Sequence, residues 1–173
     1  PSVDLFLTNF PADGFLAHER LARLRADLIT VRVMGRADGG PALDYSVNAA
    51  LGFPLLTGPA DLGDTPVNHV LPAWDLLTGA TAALAALAAL RHREETGRGQ
   101  EVRLPLADVA VAATANLGMI AEALSASSPR PRLGNAVFGA FGRDFTTACG
   151  ARLMIIAITP RQWAGLVEVL GLG

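Results

Sequence analysis

The chain has 173 residues, 51% of them hydrophobic and only 17% charged, with a net charge of −2. All 14 basic residues are arginine, which excludes a lysine Schiff base and a Walker-type phosphate loop and leaves no basic face for nucleic acid. The charge fraction is below the roughly 25% of an ordinary domain, so part of the surface is expected to be covered by another subunit or by further chain.

Residues Val3 to Phe10 read as a buried strand, an apolar run closed by Pro11. Ala17, Leu21, Leu24 and Leu28 then recur at helical spacing, with Arg20, Arg23 and Arg25 on the other faces. Ile29, Val31 and Val33 alternate with Thr30, Arg32 and Met34, a period-two strand that ends at Gly35. The three elements make a β-α-β unit with parallel strands. Asn9, Phe10 and the loop Gly35 to Gly40 (GRADGG) therefore belong to the carboxyl edge, where open α/β sheets bind ligands. That loop could offer backbone amides to a phosphate.

Pro41 to Val70 is rich in turn signals and is expected to be mostly irregular, as functional passages often are. A helix is predicted from about Asp75 to Thr96, with Gly97 as its stop and Arg91 and Arg93 at the negative end of its dipole. Its apolar part, Leu76 to Leu90, is shorter than the roughly 20 residues of a membrane crossing, which favours a buried helix. Gly97-Arg98-Gly99 is a C-cap and turn, not a dinucleotide fingerprint. Gln100 to Leu104 reads as a strand and Leu106 to Leu124 as one buried helix. The sheet is expected to continue, giving an α/β class.

Ser125 to Asn135 breaks the pattern with two prolines. The divisions expected are residues 1–128 in a large domain, 129–140 as a linker and 141–173 as the start of a small α+β domain. Phe145 to Ile158 reads as two strands around an Ala148 to Ala151 turn. Thr159 then caps a helix that begins at Pro160 and has Trp163, Leu166, Val167 and Leu170 as its apolar face.

A single cysteine, Cys149, allows no internal disulfide and no thiolate metal cluster, and His18, His69 and His92 are too scattered for a ligand set. No metal site is expected, and the reducing cytoplasm fits this cysteine usage. Asp75 stands out at the start of the most apolar helix. Taken alone it reads first as an N-cap, for which aspartate is a preferred residue, and second as a reactive carboxylate; spacing does not decide, since the positive end of the dipole favours a charged carboxylate in either role.

The run Asp75 to Gln100, with glycine four residues after the aspartate and the ending RHREETGRGQ, resembles the signature of the class III (CaiB/BaiF) CoA-transferase family. Asp4 to Phe10 and Leu28 to Tyr45 resemble its preceding strand segments, and Phe145 to Leu172 the start of its small domain. The resemblance implies a Rossmann-like large domain with a parallel sheet, here incomplete, followed by the start of a small α+β domain. It also implies an interlocked homodimer and a chain more than twice this length. This one, starting at Pro1 without methionine, is then an excerpt. CoA thioester enters as substrate, beside a carboxylic acid, with no permanently bound cofactor, nucleic acid or membrane partner.

By position, the resemblance makes Asp75 the nucleophile and Asn9 and Phe10 contacts to CoA. The arginine that follows this pair in the family is matched by Ala17, with Arg20 as a possible replacement. The related α-methylacyl-CoA racemases carry a histidine where this chain has Leu43, which disfavours proton abstraction. Ala42 to Pro59 and Pro66 to Asp75 resemble the 2-methylfumaryl-CoA (mesaconyl-CoA) isomerase branch. The implied reaction is CoA transfer, or an intramolecular CoA shift on a dicarboxylic acid, with Leu43, Tyr45, Asn48 and His69 as candidate substrate contacts. The alternatives are a racemase and a non-enzymatic CoA-binding or dimerisation fragment.

Overall fold

The computed structural model describes residues 3–126 and 130–172, so Ser127 to Pro129, within the expected break, lie outside the described residues. Three parallel strands, β1 (Leu5–Thr8), β2 (Ile29–Met34) and β3 (Glu101–Pro105), form a sheet in the order β1-β2-β3. Leu7 pairs with Val31, and Val31 with Val102. The link from β1 to β2 carries a short 3-10 turn (Gly14–Leu16) and α1 (His18–Leu24), shorter than its periodicity suggests.

The alternation in β2 is one of residue type and not of exposure. As the central strand it is covered on both faces, and Thr30 and Arg32 are as inaccessible as Ile29 and Val31. Strands of parallel sheets are ordinarily buried in this way. Polar groups there must find partners. His18 Nδ1 lies 2.9 Å from Thr30 Oγ1, and Arg32 is fully engaged, as described below.

Residues 41–70 hold more structure than expected: α2 (Asp44–Ala50), α3 (Phe53–Leu56) and a 3-10 turn at Ala60–Leu62. Each is a turn or two long, too short for a helical repeat to register among the prolines and glycines. The long helix α4 (Ala73–Thr96) starts two residues before Asp75 and ends at Gly97, whose amide donates to the Arg93 carbonyl at 2.7 Å. Length and composition would let α4 cross a membrane. Here it lies instead against β2, β3, α2 and α5 (Leu106–Asn116), and Ala82 and Ala89 join Ile29 and Val31 in the core. Alanines at this seam allow the helix to approach the sheet closely.

The single helix predicted over Leu106 to Leu124 is two, α5 and α6 (Met119–Ser125), bent by 69°. Gly118 sits between them at φ +75°, a left-handed conformation that only glycine adopts readily. In the remaining stretch β4 (Phe141–Thr146) and β5 (Arg152–Ala157) form an antiparallel hairpin. It is followed by α7 (Pro160–Leu170). Thr159 caps α7 as expected, accepting from the Gln162 amide at 3.2 Å, and the Trp163 ring packs tilted against Phe141 with centroids 5.1 Å apart.

The chain divides into two compact units, one of residues 1–52 and 69–128, the other of 53–68 and 129–173. This differs from the division into 1–128, 129–140 and 141–173. Residues 53–68, between α2 and α4, fold with the second unit, and so does the described part of the expected linker. Arg132, nine-tenths buried, ties the two segments together by donating to the carbonyls of Pro54, Leu55 and Thr65 at 2.8 to 3.1 Å.

Candidate active site

The length of β1 with the loop after it, the end of β2, the first half of α4 and the start of α5 border a cavity of about 490 Å³ in the first unit. Its walls are mostly aliphatic, from Leu5, Leu7, Val33, Ala82 and Leu106. Two polar residues named from the sequence, Asp75 and Asn9, meet there. Asn9 also borders a second groove of about 730 Å³, shared with Phe10 and with Gly35, Gly39 and Gly40 of the GRADGG loop. Asn9 thus stands where the two spaces adjoin.

Asp75 is not the cap of its helix. It is the third residue of α4, whose N-cap position is Pro72, a residue with no side-chain acceptor. The capping acceptor comes from 31 positions earlier. Asp44 Oδ2 receives the Trp74 amide at 2.7 Å and the Asp75 amide at 3.2 Å. Asn48, one turn further along α2, accepts from the Trp74 indole Nε1 at 3.2 Å. Together these two contacts fix the first turn of α4 and free the Asp75 carboxylate from any capping duty. Among the described residues that carboxylate makes no hydrogen bond, and it is exposed at the cavity. An unpaired anion at the positive end of a 24-residue helix, against an aliphatic wall, is arranged to attack an electrophile.

The loop carrying Asn9 and Phe10 is held from beneath by Arg32. Its guanidinium donates to the carbonyls of Phe10, Pro11 and Leu16 at 2.7 to 2.9 Å and to Glu101 Oε1 at 2.8 Å. Burial would raise the Glu101 carboxyl, but the hydrogen bonds and charges of Arg32 and Arg103 outweigh it and hold the group below its ordinary range. Phe10 leaves this anchored loop with a largely exposed ring.

The other expected contacts are less engaged. Leu43 is 72% exposed at the start of α2, and the Tyr45 hydroxyl makes no hydrogen bond among the described residues. Asn48 is wholly buried against Trp74, so in this chain it presents no face to a substrate and serves the helix instead. His69 is half-buried, with Nδ1 sealed and unpartnered among the described residues. Three of the GRADGG amides are spent within the loop. Those of Arg36, Gly39 and Gly40 donate within the loop, to the Gly40 carbonyl, the Arg36 carbonyl and Asp38 Oδ1.

Sequence reasoning missed Asp44 and Arg32 as parts of this site. The signals were faint: an apolar helix starting at Pro-Ala-Trp with no side-chain acceptor, and an arginine in the middle of an otherwise buried strand.

The model of CoA-transferase family III matches residues 2–173. The chain belongs to CoA-transferase family III. Among its relatives, 2-methylfumaryl-CoA isomerase of Chloroflexus aurantiacus is 53% identical over 97% of this chain and 41% of its own length. Succinate–glutarate CoA-transferase of Agrobacterium fabrum is 30% identical over 99% of this chain and 44% of its own. A crystal structure of a CaiB/BaiF family protein from Brucella suis superposes with a TM-score of 0.74 at 25% identity, covering 98% of this chain and 46% of that one. This family III chain therefore spans less than half the length of the relatives it matches.

Proposed function

We propose that the complete protein transfers CoA between carboxylates through Asp75. The observation that carries this reading is the release of the Asp75 carboxylate by Asp44, which leaves an unpaired nucleophile in an aliphatic cavity beside Asn9. A carboxylate oxygen of Asp75 attacks the thioester carbonyl of an acyl-CoA. The new C–O bond forms as the C–S bond breaks, and the electron pair leaves on sulfur, giving a mixed anhydride and CoA thiolate. The thiolate attacks the Asp75 carbonyl carbon, expelling the first carboxylate and leaving an aspartyl-CoA thioester. An acceptor carboxylate reverses the two steps and restores Asp75. Each intermediate is activated enough to turn over, as a serine ester would not be.

The 53% identity to 2-methylfumaryl-CoA isomerase supports a narrower form, in which donor and acceptor are the two carboxylates of one C5 dicarboxylic acid. Asn9 and Phe10 are assigned to CoA in the groove they share, with Leu43, Tyr45 and His69 left as substrate contacts. The reading includes an interlocked homodimer in the cytoplasm. The apolar side chains that α4 leaves exposed, Leu84 and Leu87 among them, support a covering partner or further chain.

The test is to incubate the complete protein with mesaconyl-CoA or succinyl-CoA, add hydroxylamine, and identify the Asp75 peptide by mass spectrometry. A hydroxamate on Asp75 is expected, and its loss together with turnover in Asp75→Asn. Unchanged turnover in that variant would sink the mechanism.

A further inference from the structure

Thr78 follows Asp75 by three residues on α4, so the two side chains share a face with Cβ atoms about 5–6 Å apart. Both border the same cavity. Thr78 is 2% exposed, and its hydroxyl oxygen has no partner among the described residues. Helical threonines usually return this hydroxyl to the carbonyl one turn back. Thr81, Thr96 and Thr114 do so at 2.8 Å, to Leu77, His92 and Ala110. Of the threonines in the described helices, Thr78 alone keeps its hydroxyl unspent. A buried polar group without a partner is costly, and here it lies beside the proposed nucleophile.

We infer that Thr78 donates a hydrogen bond to the acyl oxygen carried on Asp75 once that carboxylate has been acylated or thioesterified. The inference rests on the proposed role of Asp75 and adds a second substrate-touching residue to it. Threonine populates two χ1 rotamers in a helix, so a single rotation exchanges hydroxyl for methyl at the cavity wall. Attack on either Asp75 intermediate turns a carbonyl oxygen into an oxyanion. Rotated onto that oxygen from an aliphatic wall, the O–H stabilises the charge more than it stabilises the resting carboxyl. The free carboxylate is open to water and has less need of it. The hydroxyl therefore acts on turnover more than on binding. The cavity's other side-chain donors are Thr8 and Asn9, on the strand side and not on the helix that carries Asp75.

The experiment compares Thr78→Val, Thr78→Ala and Thr78→Ser in the complete protein, with steady-state kinetics and hydroxylamine trapping on mesaconyl-CoA or succinyl-CoA. Valine keeps the shape and alanine the helix propensity, so loss of folding in one leaves the other to read. The expected result is a fall in kcat of roughly 100-fold in the valine and alanine variants, the scale for removing one oxyanion donor. KM should change little and serine should recover most of the rate. Valine or alanine turning over like wild type overturns the inference, as does serine failing to rescue, which would mark Thr78 as packing alone. Wild-type protein that traps no hydroxamate at Asp75 overturns the parent reading as well. Trapping that persists at wild-type rate in the valine variant overturns only the role of Thr78.

Discussion

At the scale of single residues, Asp75 was legible because its place before an alanine-rich helix is written in the sequence. What it does there was not. An aspartate at a helix start serves equally well as cap or as reagent, and only the position of Asp44 separates the two. That position depends on a contact across 31 residues, between α2 and α4, that no local pattern encodes. Replacing Asp44 by alanine removes the acceptor for the Trp74 and Asp75 amides and should cost about 1 kcal/mol of stability. It should also slow hydroxamate formation at Asp75 by tenfold or more, because Asp75 is then drawn toward its own helix end and away from the cavity. Asp44→Asn keeps an oxygen in place and should hold both the melting temperature and the trapping rate near wild type. Thermal unfolding and timed trapping check the pair. Equal loss in alanine and asparagine variants would mean that Asp44 contributes its charge and not its cap.

Among the elements, those with a strong period or a clean boundary were readable: β2 between a helix and Gly35, α4 with its glycine stop, α7 with its Thr-Pro start. The bend at Gly118 was hidden because both α5 and α6 are apolar, so the composition runs on unbroken through the turn. α2 and α3 were hidden by their brevity. The arginine of β2 was read as one polar member of an alternating strand, whereas it is the anchor for the loop after β1. Its partner Glu101 has a carboxyl held below the ordinary value of 4.5. The unfolded chain therefore binds more protons than the folded one as pH falls, and stability rises with pH through this range. The contribution is fully present above about pH 4.5 and is lost as the pH drops through the lower folded value. Glu101→Gln leaves the buried Arg32 without its anion and should cost on the order of 3 kcal/mol at neutral pH. Urea midpoints at pH 6 and pH 3.5 should converge for the variant relative to wild type. A variant as acid-sensitive as wild type would place the titrating group elsewhere.

For the whole molecule, the order of residues along the chain does not follow the order of its compact units. The break at Ser125 to Asn135 was visible from its prolines, so a second unit was expected beyond it. The recruitment of residues 53–68 into that unit was not, because the side chain that ties them to it lies far along the chain. Arg132 reaches back more than sixty residues to three backbone carbonyls, and it was unremarkable in a stretch that reads as linker. Carbonyls buried without donors are costly, so this arginine should decide whether 53–68 is ordered with the second unit. Arg132→Met keeps the aliphatic bulk and removes the donors. It should lower local stability by about 3 kcal/mol, hydrogen bonds from a charged donor being worth more than neutral ones. Native-state hydrogen exchange reads this directly. The Val67 amide, which donates to the Pro54 carbonyl at 2.9 Å, should exchange roughly 100-fold faster, while the amide of Val31 in β2 keeps its protection. Equal loss at Val31 would mean that residues 53–68 are instead part of the cooperative fold of the first unit.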